Sequence, residues 1–237
     1  MTDRLDPARL DELWDFSDPT GSAERFRIEA ETAGPVAAAE LATQRARALG
    51  LAGDGGAADG VLDAIDSAEP IVIIRLALER GRRANSDGRS DEAIPLFVAA
   101  FEGAERERED FLAADALHML AIADEEHSGE WAARGIHLVN DSADLRAKRW
   151  AIALHNNLGW LHHDAGLFEE ALSEFELADD AAARYGTEEQ QQLAQWAIAR
   201  ALRSLGRRAE ALAIQRRLAE LRPDDEYVLE ELGLLES

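Results

Sequence analysis

The 237-residue chain has no cysteine, a single lysine (Lys148), two methionines and six prolines. Without cysteine there are no disulfides, no thiolate nucleophile and no zinc site of the thiolate type. No apolar run approaches the 18 or more residues that a membrane span requires, and no N-terminal segment combines a basic start, an apolar stretch and a small-residue cleavage site. A cytoplasmic protein is the expectation. Basic residues are also scarce, 25 against 48 acids, so the formal charge is −23. That field repels phosphate backbones and anionic lipid surfaces, and neither nucleic acid nor membrane is an expected partner. What the chain does have is 46% hydrophobic content, enough for a sizeable core.

The hydrophobic content is organised by repetition. A turn glycine, or serine in one copy, precedes an alanine by five positions at Gly53–Ala58, Gly88–Ala93, Ser128–Ala133, Gly166–Ala171 and Gly206–Ala211. The aligned alanines stand 35, 40, 38 and 40 residues apart. Seven residues before each turn position lies another small residue: Ala46, Gly81, Ala121, Gly159 and Ala199. Small side chains in mid-helix and early in the following helix let two helices approach as a tight hairpin, and a glycine between them suits a left-handed helix terminus. Acids such as Asp91, Glu92, Glu169 and Glu170 crowd the start of the second helix, where the dipole favours them.

These residues resemble the tetratricopeptide repeat, a helix-turn-helix unit with large and small residues at fixed places. The fourth copy carries Leu158, Gly159, Gly166, Ala171, Phe175 and Ala178 on framework positions, with His155 and His162 where aromatics usually stand. The second offers Gly81, Gly88, Ala93, Phe97 and Ala100, the fifth Ala199, Gly206, Ala211 and Pro223. The third departs, with Ser128, His137 and Asn140 where glycine, an aromatic and alanine are expected. The resemblance implies an all-α fold, a right-handed superhelical solenoid of antiparallel helix pairs with about five repeats and a C-terminal capping helix. The expected organisation is an N-terminal helical cap over residues 1–35, a repeat array over 36–223 and a capping helix over 224–237. Within the first segment Asp6-Pro7 and Asp18-Pro19 read as helix starts, and Leu10, Leu13, Trp14, Phe26 and Ile28 as its apolar seal.

Chemistry finds little support. No two of the six histidines stand at the i, i+4 spacing of a helical zinc site, and adjacent His162 and His163 point about 100° apart on a helix. His155 and His162 are therefore expected to pack within their hairpin. No nucleophile elbow or phosphate-binding glycine pattern occurs. No enzyme activity and no cofactor are expected. The Asn140-Asp141-Ser142 sequon lacks the secretory context for a glycan.

The resemblance implies instead a non-catalytic scaffold or adaptor that holds a protein or peptide in a concave groove lined by the first helix of each repeat. Carried over position by position, the groove candidates are Arg75, Arg82, Asp115, His118, Asn156, Trp160, His163, Trp196, Arg200 and Arg203. The tryptophans and arginines are the types enriched at binding hot spots. The Lys–Asn–Arg set with which some family members grip a terminal carboxylate is not reproduced, since Thr43 and Leu78 occupy its lysine places. The acidic charge suggests a basic partner. Self-association of the chain is the alternative, and a histidine-dependent metalloenzyme a third reading.

Overall fold

The computed structural model describes residues 3–237. It is all-helical among the described residues, built of antiparallel helix pairs as a tetratricopeptide-like solenoid. The chain forms two compact units, Met1–Asp124 and Glu125–Ser237.

In the first unit α1 (Pro7–Leu13) and α2 (Pro19–Ala30) open at the expected prolines. The Asp6 carboxylate accepts from the Ala8 amide at 3.0 Å and the Asp18 carboxylate from the Gly21 amide at 2.9 Å. Each cap satisfies a donor that the helix itself leaves open. Leu10, Leu13 and Phe26 are buried against Leu41 of α3 (Pro35–Leu51), with Trp14 partly covered. Ile28 departs from the expected seal: it is 51% exposed, on the outer side of α2. Two hairpins follow, α3 with α4 (Gly55–Asp63) and α5 (Pro70–Ser86) with α6 (Ser90–Glu107), and then α7 (Asp110–Ala123).

The second unit holds α8 (Ser128–Asp141), the short α9 (Leu145–Lys148), the hairpins α10 (Trp150–Asp164) with α11 (Phe168–Tyr185) and α12 (Glu188–Ser204) with α13 (Arg208–Leu221), and α14 (Glu226–Glu236). The two helices expected to form the third repeat, α7 and α8, thus belong to different units.

The four turn glycines share one geometry. Gly53, Gly88, Gly166 and Gly206 have φ of 84°, 74°, 76° and 75°, a region closed to most side chains. In each case the next amide reaches back to a carbonyl five residues earlier, as from Leu167 to His162 and from Arg207 to Leu202, both at 2.9 Å. This is the Schellman closure of a helix C-terminus. Ser128 does not share it. A 3-10 turn, Glu125–His127, precedes α8, and the register there slips by one: Ala132 is buried while the expected Ala133 is exposed. Gly135 and Val139 are then buried and Ile136 partly so, while the expected His137 and Asn140 are exposed.

Packing follows the small-residue columns. Ala58, Ala93, Ala171 and Ala211 have no exposed surface. A Cβ added at Gly81 would stand 2.5 Å from the Phe97 ring, and one at Gly159 2.5 Å from the Phe175 ring. Both phenylalanines are fully buried, each stabilising by about 2–3 kcal/mol through the area removed from water. The last hairpin differs: Ala199 stands in the glycine's place, and Gln215, sixteen residues on, in the phenylalanine's, both fully buried. The Gln215 amide is fully buried, and neither end has a hydrogen-bond partner among the described residues.

Candidate functional site

Three aromatic rings form a row in the second unit, each carried by the first helix of a pair or by α14. Trp160 on α10 lies 6.0 Å from Trp196 on α12, and Trp196 lies 6.4 Å from Tyr227 on α14, centroid to centroid. The row is anchored below and open above. Trp160 packs on the buried Phe175 ring at 5.0 Å, and both tryptophans rest on the alanine-rich core of α11 and α12. The Trp196 indole N–H donates to the Tyr227 carbonyl at 3.2 Å. Both tryptophans remain partly accessible, and Tyr227 is 71% exposed.

His163 borders this row, edge-on to Trp160 at 5.3 Å, with its Nε2 2.9 Å from the Ser204 hydroxyl. Burial pushes its pKa down and the Arg200 charge adds to that, outweighing the opposing pull of exposed Asp164. The ring is therefore neutral at neutral pH, a hydrogen-bonding surface rather than a charge. Asn156, one turn before Trp160, is partly exposed and makes no hydrogen bond to the described residues. Arg200 and Arg203, expected beside the tryptophans, both reach the buried carboxylate of Glu231 on α14. Arg203 does so through Nε at 2.7 Å, and Arg200 with a close contact of its own. Desolvation alone would raise the Glu231 carboxyl, but the hydrogen bonds and charges of Arg203 and Arg200 hold it below the usual carboxylate range. Each arginine keeps roughly a third of its side chain exposed, at 33% and 29%.

The sequence-based candidates of the first unit lie in a buried ion-pair network. Arg75 donates to the buried Glu40 carboxylate at 3.0 Å. Arg82 bridges Glu79, at 2.6 Å, and Asp115. Burial drives the Glu79 carboxyl upward despite the arginines nearby. At Asp115 burial also opposes ionisation, but the Arg82 and Arg47 charges win and its pKa falls. His118 borders the same cluster, and burial pushes it down to about 4. Arg47, which the groove reading did not include, sits among these groups. Its position, one residue after the small Ala46, is also that of Arg82 after Gly81, and this was the signal in the sequence that could have found it.

No group of three or more histidine and carboxylate side chains among the described residues is arranged to hold a metal ion. His155, expected inside its hairpin, is buried there with its Nδ1 2.7 Å from the Glu174 carboxylate of α11. His162 is partly buried at the C-terminal end of α10. Among the described residues no helix is long and apolar enough to cross a membrane.

The tetratricopeptide repeat family profile matches residues 194–225, the stretch from mid-α12 through α13 that carries Ala199, Gly206 and Ala211. The chain is built of tetratricopeptide-like repeats. Among solved structures it is similar to BtubC (BKLC) from P. vanneervenii, at 15% identity and a TM-score of 0.64 over 90% of this chain and 91% of that one. It is also similar to the nearly identical TPR-like repeats described as a putative kinesin light chain of Podosopora anserina, at 17% identity and a TM-score of 0.57. That match covers 80% of this chain and 96% of the other, and a single-substitution variant of the same repeats matches over 77% and 95%. At these identities the likeness is one of fold. No curated protein matches by sequence.

Proposed function

We propose that this protein is a non-catalytic scaffold that binds a protein or peptide, with Asn156, Trp160, His163, Trp196 and Tyr227 forming the contact surface of its second unit. The observation that carries this reading is the row Trp160–Trp196–Tyr227, anchored on the core along one side and accessible on the other. Rigid aromatic rings give large contact area at low entropic cost, and a neutral histidine and a free amide supply direction. The fold supports the same reading, since tetratricopeptide-like repeats generally serve protein interactions. With a net charge of −23 the partner is a basic segment, drawn in by the long-range field. Residues 1–35 and 224–237 act as caps to the repeats of 36–223, and the cytoplasm is the compartment.

The test is partner capture after crosslinking in native extract, comparing the wild type with Trp160→Ala/Trp196→Ala and with Tyr227→Ala. Both variants should keep their helical circular dichroism and lose the captured partner. A folded variant that retains the same partner would refute the assignment of this surface.

A further inference from the structure

A second surface feature belongs to the first unit alone. A pocket of about 210 Å³ opens between the C-terminal halves of α3 and α5 and reaches Met119 of α7. Small-molecule sites run to about 300–1,000 Å³, and a cavity of about 150 Å³ takes one benzene, so this volume suits a single side chain rather than a metabolite. Three arginines line it. Two have partners: Arg82 is shared between Glu79 and Asp115, and Arg83 bonds Asp59 and Asp87 at 3.1 Å each. Arg47 has no hydrogen bond or ion pair with any described residue. Its one specific contact is a ring face, its Cζ lying 5.9 Å from the Trp14 centroid.

That contact fixes where Arg47 stands. Trp14 is itself held by stacking on Phe16 at 4.7 Å, by an edge contact to Phe26 at 5.0 Å and by its indole N–H bond to Gln44 at 3.1 Å. A guanidinium on an immobile aromatic is pre-oriented, and here its N–H donors remain uncommitted beside the cavity. Burial lowers the Arg47 pKa, and the Arg82 charge adds to that, while Glu79 and Asp115 oppose it through space without a hydrogen bond to the guanidinium.

We propose that this pocket seats one acidic side chain of the polypeptide partner, its carboxylate on the Arg47 guanidinium and its methylene stem against Leu51 and Met119. The planar guanidinium matches a carboxylate with two parallel hydrogen bonds, and the apolar wall favours a stem over a bare anion. Glu79 also lines the cavity, but its carboxyl is hydrogen-bonded by Arg82, and burial drives its pKa upward. The entering carboxylate thus meets in Arg47 the one lining guanidinium, among the described residues, that has no carboxylate directly hydrogen-bonded to it. The protein's overall negative field requires that this acid be carried within an otherwise basic segment, so the pocket sets register on a partner that the field attracts.

The inference rests on the protein-binding reading, yet its test needs no partner. Arginine Nε–Hε resonances of the full chain are followed during titration with N-acetyl-glutamate methylamide, N-acetyl-glutamine methylamide and sodium acetate at constant ionic strength. The Arg47 signal is identified by its absence in Arg47→Gln. It should shift saturably with the capped glutamate and not with the capped glutamine, and the glutamate should bind about tenfold tighter than acetate because its stem is buried. No saturable shift, an equal response to glutamine, or equal affinity for acetate would overturn the proposal. Partner capture retained by the folded aromatic-row variants, with this response intact, would count against the aromatic row alone.

Discussion

At Gly81 and Gly159 the distance from a would-be Cβ to the phenylalanine opposite, 2.5 Å, is well inside van der Waals contact. Phe97 and Phe175 cannot retreat, because both are fully buried. Alanine at either glycine forces the hairpin apart at a cost of about 1–3 kcal/mol, while its better helix propensity returns about 1 kcal/mol. Gly60 makes the control, being helical and exposed with nothing within 4 Å of a new Cβ. Gly159→Ala should therefore lower the urea midpoint and Gly60→Ala raise it, the latter through about 0.5–1 kcal/mol of added unfolding free energy. Equal effects at the two sites would show that the close approach is not what the glycine provides. The small-residue columns were readable in the sequence because the steric demand recurs at a fixed offset. The burial of Gln215 where the earlier hairpins bury a phenylalanine was not, since a polar residue at that offset reads in a single chain as a solvated face.

At the scale of the helix, starts and stops were legible and attachments were not. Asp-Pro pairs and turn glycines mark ends through the local hydrogen bonds they make, which is why α1, α2 and four hairpin turns fall where the residues say. The slip to Ala132 follows a 3-10 turn with no such marker. Nor could the sequence show that Arg200 and Arg203 hold α14 through Glu231, although a capping helix over 224–237 was expected. That attachment is testable. Glu231 is almost fully buried between two arginines that retain a third of their exposure, so Glu231→Gln loses charge-assisted hydrogen bonds worth about 2 kcal/mol in all. The folded-state pKa of Glu231 is depressed, so its contribution is present above the unfolded carboxylate range and is lost as pH falls through the folded value. The stability gap between wild type and Glu231→Gln, from urea unfolding, should accordingly be widest near neutral pH and close in acid. A gap independent of pH would mean that α14 is held by Val228 and Leu235 alone.

For the whole molecule the acid excess was plain in composition, but its distribution was not. Structure draws Arg75, Arg82, Glu40 and Asp115 inward, where their mutual attraction is little affected by salt. The surface that remains is predominantly acidic, and its exposed arginine pairs, such as Arg9 with Glu29 and Arg184 with Asp180, are solvent-screened and contribute little. Screening thus has two effects of different size. It weakens modest surface attractions, and it relieves the self-repulsion of a chain carrying −23 in its compact state. The second should dominate: as sodium chloride rises from about 50 mM to about 500 mM, the screening length shrinks from roughly 14 Å to about 4 Å, shorter than most surface separations. The melting temperature of the free protein should climb, by about 2–4 °C for each kcal/mol of repulsion removed in a chain of this size. The same salt should slow association with a basic partner, because the field that destabilises the free fold is the one that steers the encounter. A melting temperature that falls with salt would place the balance in the surface ion pairs, and would remove the physical reason for expecting the partner to be basic.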